Sequence, residues 1–218
     1  MNKIYVLSSI MILLFLSGCA TMTGFEEGRT LGENNSEVGG SVNLTVAPDL
    51  FGNDADIDDI SSFPNLELGY KYGVLDDLDV GIRVNSNLNL GVYTKYQLLG
   101  GKNSNYALST GFEFSSFTWI TYAVQIPVYT SIYPAEDLAI NINPRLVYQF
   151  SAGGGLNGGV TYLGGNVGFL YGKKHKFGVD LGYYSLGVDG SRTGLFNIGV
   201  GGKFRFGDLD ELGSSFDL

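Results

Sequence analysis

From Leu138 to Phe150 the sequence LAININPRLVYQF alternates with a period of two. Leu138, Ile140, Ile142, Pro144, Leu146, Tyr148 and Phe150 share one parity, and Asn141, Asn143, Arg145 and Gln149 share the other. Successive side chains of a β-strand point to opposite faces, so this stretch is a strand with one apolar and one polar face. Most of the chain after Ser36 follows the same rule, and past the first residues no apolar run is long enough for a membrane-spanning helix. The chain is therefore committed to β-structure. If the apolar face looks outward, what surrounds it is lipid.

About ten such segments can be counted. Even-numbered positions carry the apolar role through most of them: Val38, Val42, Leu44 and Val46 in the first, Leu66 to Val74 in the second, Leu78 to Val84 in the third and Leu88 to Leu98 in the fourth. Leu108, Phe112 and Phe114 follow in the fifth, and Ile120 to Ile132 in the sixth. The eighth begins with Val160 and Tyr162 but continues with Val167, Phe169 and Tyr171, which predicts a bulge at Gly164-Gly165. Odd positions then serve the ninth strand (Phe177, Val179, Leu181, Tyr183), and even ones the tenth (Phe196 to Phe206). Pro127 and Pro144 lack a ladder donor and predict local bulges. Each segment is close to the length a tilted strand needs to cross a bilayer, and the even number suits a closed antiparallel up-and-down transmembrane barrel spanning residues 36–206.

Before the barrel, Lys3 and the apolar run Ile4 to Leu16 make a secretory signal, too short for a membrane span. Leu16-Ser17-Gly18-Cys19 resembles a bacterial lipobox, which implies a signal peptide at residues 1–18, diacylglycerol and an amide-linked acyl chain such as palmitate on Cys19, and a lipidated linker at 19–35. Ala20, in place of aspartate, is compatible with sorting to an outer membrane. Cys19 is the only cysteine, so no disulfide competes. The leader, with GCATM followed by GRTLG and SEVGG, is similar to that of uncharacterised lipoproteins that continue into a barrel, a resemblance of about thirty residues that names no activity. Residues 20–35 are polar and without period; they read as slack for the anchor with one helical turn.

With the lipidated end in the periplasm, the connections 48–62, 85–87, 115–118, 151–158 and 187–193 are extracellular, and those around Asp76-Asp77, Gly101-Asn103, Pro134-Glu136 and Lys173-Lys174 are periplasmic. Gly201-Gly202-Lys203-Phe204-Arg205-Phe206 resembles the terminal recognition signal of outer-membrane barrels, which implies handling by the barrel-assembly machinery; Gly199 stands where a polar residue belongs. A second match, Glu211, Gly213, Phe216 and Leu218, lies at the end of the chain. Asp208 and Asp210 would point into lipid if the last strand continued, so residues 207–218 read as an acidic periplasmic tail.

Alternation is shared by membrane barrels and by lipocalin-like barrels that turn their apolar face inward around a ligand. Three features favour the former. The apolar set is full on nearly every strand and too bulky for a ten-strand lumen. Tyr70, Tyr72, Tyr96, Tyr106, Tyr171, Phe177, Phe204 and Phe206 gather at one end as an aromatic girdle, with Phe114, Tyr122, Phe150 and Tyr162 for the other. The opposite face is mostly Gly, Asn, Ser, Thr and Gln, and charged residues are only 16% of the chain, against about 25% in globular proteins.

The inward parity carries Glu67, Lys71, Asp79, Arg83, Lys95, Glu113, Arg145, Asp180, Lys203 and Arg205. Counting from the Asp76 turn sets Lys71 diagonal to Asp79 and Glu67 diagonal to Arg83, and similar counting brings Asp180 near Lys203. Arg145 calls for Glu113 or Gln125. Buried mixed charges must pair, and a lumen of this size is nearly filled by side chains, so the reading is a packed network; a charged pore is the other one.

Chemistry is otherwise sparse. A barrel hydrolase needs a histidine near a serine or carboxylates at its catalytic rim; the one histidine, His175, belongs to the turn Gly172-Lys173-Lys174-His175, which the topology places on the periplasmic side, so no enzyme activity and no cofactor is expected. Asp54, Asp56, Asp58 and Asp59 alternate carboxylates as calcium sites do, but lack the glycine and distal glutamate of an EF-hand loop. The glycines at 153–155 and 158–159 precede no Lys-Ser/Thr and make no phosphate cradle. A net charge of −9 argues against nucleic acid. The sequence thus predicts an outer-membrane barrel lipoprotein with a structural or interaction role, its partners being outer-membrane lipid and an unidentified periplasmic or extracellular protein. A narrow small-solute channel and a periplasmic lipid-binding barrel are the alternatives.

Overall fold

The structure, a computed structural model, describes residues 23–47, 61–101, 104–117, 119–152, 159–188 and 191–207. Ten strands follow one another: β1 (Ser36–Ala47), β2 (Ser61–Leu75), β3 (Leu78–Asn85), β4 (Asn89–Leu99), β5 (Tyr106–Phe117), β6 (Thr121–Ala135), β7 (Leu138–Ser151), β8 (Val160–Tyr171), β9 (His175–Val188) and β10 (Ser191–Phe206). Each pairs antiparallel with its sequence neighbours, and β1 pairs with β10, which closes the sheet. Closure leaves no edge strand and no unpaired ladder. No helix occurs among the described residues. We call the end where β1 begins and β10 finishes the near rim, and the opposite end the far rim.

Apolar residues face outward. Val42, Leu68, Ile82, Val92, Phe112, Ile126, Leu146, Phe169, Leu181, Ile198 and Val200 are all exposed, while the opposite parity is buried. This excludes the lipocalin-like alternative in its stated form, because the apolar face does not enclose the interior. Tyr70, Tyr96, Tyr106, Tyr171, Phe177, Phe204 and Phe206 lie exposed toward the near rim. On the outer wall toward the far rim, Phe114, Tyr122, Phe150 and Tyr148 form a run of rings with successive centroids 5.8 Å apart.

Three expectations about local structure change. The β7–β8 register runs without a shift from Gln149↔Val160 to Leu138↔Tyr171, so no bulge lies at Gly164-Gly165. The parity switch falls instead in the connection after Ser151, and Tyr162 points inward, fully buried, rather than joining the outer girdle. The prolines produce no bulge either. Pairing lapses between Thr110↔Val128 and Glu113↔Gln125 around Pro127, and between Pro127↔Arg145 and Thr130↔Ile142 around Pro144, while the register on both sides is unchanged. A missing donor removes a rung without inserting a residue. The strands of the last hairpin also extend further than expected, to Val188 and from Ser191.

At the far rim, the tight β3–β4 turn places Leu88 at φ 59°. Asn85 makes this possible: its side-chain oxygen accepts from the N–H groups of Asn87 and Asn89, and its carbonyl from that of Leu88.

Candidate functional site

The inward parity of the strands collects buried charge from the near rim to mid-height. Among the described residues seven cations are buried on the wall: Lys71, Arg83, Lys95, Arg145, Lys176, Lys203 and Arg205. Five wall carboxylates accompany them: Glu37, Glu67, Asp79, Glu113 and Asp180. The wall alone therefore carries two excess positive charges in a space where unpaired charge is costly.

The missing negative charge comes from the segment preceding β1. Residues 23–35, expected as a slack linker with a helical turn, instead begin inside the lumen, where Thr23, Phe25, Glu27 and Leu31 are buried, and lead out to the near mouth, bending at Gly28-Arg29 and turning at Glu33-Asn34. Three residues lie between Cys19 and Thr23, the first described residue. Glu26 accepts from Lys71 at 2.8 Å, with Lys95 at 3.6 Å and Lys203 at 3.8 Å. Glu27 accepts from Lys176 at 2.5 Å and Arg205 at 2.6 Å. Glu37 completes the cluster, meeting Arg205 at 2.7 Å, Lys71 at 3.1 Å and Lys203 at 3.2 Å. Glu27, buried, and Glu26, half-buried, bring the carboxylates that face the charged layer to seven among the described residues, matching the seven wall cations.

The backbone of this plug is held as well. Gly24 N–H donates to Asp180 (3.0 Å), Gly28 N–H to Ser131 (2.7 Å), Thr30 N–H to Gln97 (2.8 Å) and Leu31 N–H to Asp79 (3.0 Å). Its carbonyls accept from Arg145 at Thr23 (2.6 Å), from Asn143 at Gly24 and Glu26 (2.8 Å each), and from Lys95 at Glu27 (3.2 Å) and Arg29 (2.6 Å). A segment inside a barrel without a ladder partner needs side chains of the wall to satisfy its amides. Arg29 leaves the charged layer for the near rim, where it donates to the Ser104 carbonyl and lies 3.8 Å from the Tyr133 ring centroid.

The ten residues expected inside are all buried there, but not all in the expected pairs. Arg83 does reach diagonally to Glu67 (3.6 Å), also approaches Glu113 (3.6 Å), and stacks 4.3 Å from the Tyr93 centroid. Asp79 pairs with Lys95, its direct cross-strand neighbour, at 3.1 Å, and this leaves Lys71 to Glu26 and Glu37. Asp180 and Lys203 do not meet. The register sets Asp180 opposite Gly199 and Lys203 opposite Lys176, so Lys203 turns to Glu37 while Asp180 accepts from Gly24 and Asn166. Glu113 and Gln125 bond each other at 3.2 Å, and Arg145 donates to the Thr23 carbonyl. Glu37 and Lys176 were missed although parity alone marks them: each sits beside an outward residue, Val38 and Phe177.

Above the charged layer, toward the far rim, Ala123, Val147, Tyr162, Tyr184, Leu186 and Leu195 form a buried apolar cluster with Phe117 and Val160 against it. Beside Thr23, Glu67, Lys71 and Arg83 remains a void of about 40 Å³. That is room for a few waters and not for a solute. His175 is exposed at the near rim, its ring 5.5 Å from that of Phe204. No cluster of three potential metal ligands occurs among the described residues. Cys19, the loop carboxylates Asp54, Asp56, Asp58 and Asp59, the glycines at 153–155 and residues 208–218 lie outside them.

No protein-family model matches the chain, and no curated protein matches it. Solved structures do. Neisserial surface protein A (NspA) is 10% identical, over 80% of this chain and 100% of that one, with a TM-score of 0.42. The KdgM porin, solved with disordered oligogalacturonate, is 12% identical over 78% and 99%, at 0.41. The outer membrane protein OprG from Pseudomonas aeruginosa is 13% identical over 83% and 99%, at 0.35. The likeness is one of barrel fold.

Proposed function

We propose that this protein is an integral outer-membrane β-barrel lipoprotein, anchored additionally through Cys19, that acts as a closed structural or interaction module and not as an enzyme or a steadily open pore. The observation that carries this reading is the inversion of the barrel: an apolar outer wall surrounds an interior whose charges are neutralised and blocked by the chain's own residues 23–35. A soluble barrel would leave the outward Val, Ile, Leu and Phe in water, an unfavourable exposure at roughly 25 cal/mol per Å². Lipid removes that cost, and the aromatic rings toward both rims suit the two interfaces. The near rim then faces the periplasm, where the machinery that assembles such barrels works.

Fractionation tests the reading. The full chain is expected in outer membranes, to incorporate labelled palmitate in a Cys19-dependent manner, and to run faster on gels before boiling than after. The Cys19→Ala chain should remain membrane-bound through its barrel; its extraction into detergent-free buffer overturns the integral reading. In planar bilayers the native chain should show no steady conductance. Steady currents altered by Arg83→Ala or Arg145→Ala make it a channel instead.

A further inference from the structure

We propose that the near half of the lumen is a peptide-binding site, selective for an acidic segment of the pattern Gly-aromatic-Glu-Glu-Gly, and that residues 24–28 are its tethered occupant. The proposal rests on the plugged-barrel reading and gives the interior a specific ligand class. Three independent features define the site. The wall presents two unbalanced positive charges, and Glu26 and Glu27 are the carboxylates that balance them. Asp180, Ser131 and Asn143 contact main-chain N–H and C=O groups, which reads the peptide backbone and not particular side chains.

The third feature is shape. A Cβ at Gly24 would lie 2.4 Å from Asn166 Cβ, and one at Gly28 would lie 2.3 Å from the Ala107 carbonyl oxygen, so both positions admit only glycine. Between them Phe25 joins a buried cluster with Ala139 and Leu170. The wall makes room for it at Gly199 and Gly201, where a Cβ would stand 3.3 and 3.1 Å from the Phe25 ring. Two glycines, a ring and two carboxylates in fixed order therefore match a glycine-spaced, apolar and cationic seat in the same order. A tether of this kind holds its ligand at an effective concentration on the order of millimolar, so the native chain should keep the seat filled.

The test uses the full chain in detergent micelles with a fluorescent peptide of residues 22–35. Glu26→Lys with Glu27→Lys places two more cations among the wall cations and vacates the seat. Unboiled gel mobility shows whether the barrel has formed. Should this variant fail to fold, Gly28→Gln, whose side chain cannot clear the Ala107 carbonyl, vacates the seat without changing its charge. The vacated chain should bind the peptide saturably, at least tenfold more tightly than the native chain does. Peptides carrying Gly28→Ala, or Glu26→Gln with Glu27→Gln, should bind at least tenfold more weakly. Equal binding to native and vacated chains, no binding to a folded vacated chain, or indifference to the glycine overturns the proposal. A chain that never enters a membrane or micelle as a folded barrel fails the earlier reading instead.

Discussion

Lys95→Met is the sharpest probe of the interior. Lys95 and Asp79 are both fully buried, face each other directly across β3 and β4, and lie 3.1 Å apart. The ammonium also donates to the carbonyls of Glu27 and Arg29. Methionine matches the volume but strips the charge. Asp79 keeps the Leu31 N–H at 3.0 Å, while two plug carbonyls lose their shared donor. Breaking one side of a buried ion pair costs about 3–5 kcal/mol, because the remaining charge stays buried. With a urea dependence of roughly 2 kcal/mol per M, the unfolding midpoint should fall by about 2 M. Trp119, the single tryptophan, reports the transition from the far rim. Adding Asp79→Asn removes the stranded charge, so the double variant should recover much of the loss, with a coupling of about 2 kcal/mol. The surface pair Lys173–Glu136, 72% and 42% exposed, is the control: Lys173→Met should not move the midpoint measurably. A Lys95→Met shift below about 0.5 M, or additivity of the two substitutions within about 0.5 kcal/mol, would refute the reasoning.

Other consequences follow from the wall. Ile82→Arg, outward and central in β3, should destabilise the barrel in vesicles by about 2–4 kcal/mol, while arginine at Tyr106 near the rim should cost about 0–1 kcal/mol. Tyr162→Ala should cost about 3–5 kcal/mol as a buried truncation, and a loss under about 1 kcal/mol would return the ring to the outer face. Pro144→Val supplies an N–H at the gap in the β6–β7 ladder. The bond is worth about 1 kcal/mol, offset by about 0.4–1 kcal/mol because proline stiffens the unfolded chain. Stability should therefore barely change, and amide exchange around Thr130 and Ile142 should slow.

Strand number, closure and the outward apolar face were legible because each depends on side-chain parity, which the sequence prints directly. Val38, Ile82 and Phe204 could not all face lipid without placing Glu37, Arg83 and Arg205 inside. Pairing within the lumen was harder, since a contact such as Asp180 to Gly24 depends on a segment with no period. Tyr162 was assigned outward because an aromatic residue is at home in either an interface or a core, and parity counted from the wrong side of the β7–β8 connection. The plug left one trace. The ten inward residues named from sequence already held six cations against four carboxylates, and a buried interior does not tolerate that difference. Two acids had to come from elsewhere, and Glu26-Glu27 is the acidic pair directly before β1.

The position of that pair bears on how the ring comes together. Pairing of β1 with β10 joins residues far apart in sequence, and such closures form late because they exact the largest loss of chain entropy. Arg205, at the end of the last strand, bonds Glu37 across 168 residues and Glu27 across 178. The segment at the start of the chain thus staples the final seam from within: it supplies carboxylates to β2 and β10, the two neighbours of β1, and to β9 beyond. A barrel built this way carries its own clasp, and the order of assembly is written in where the clasp fastens.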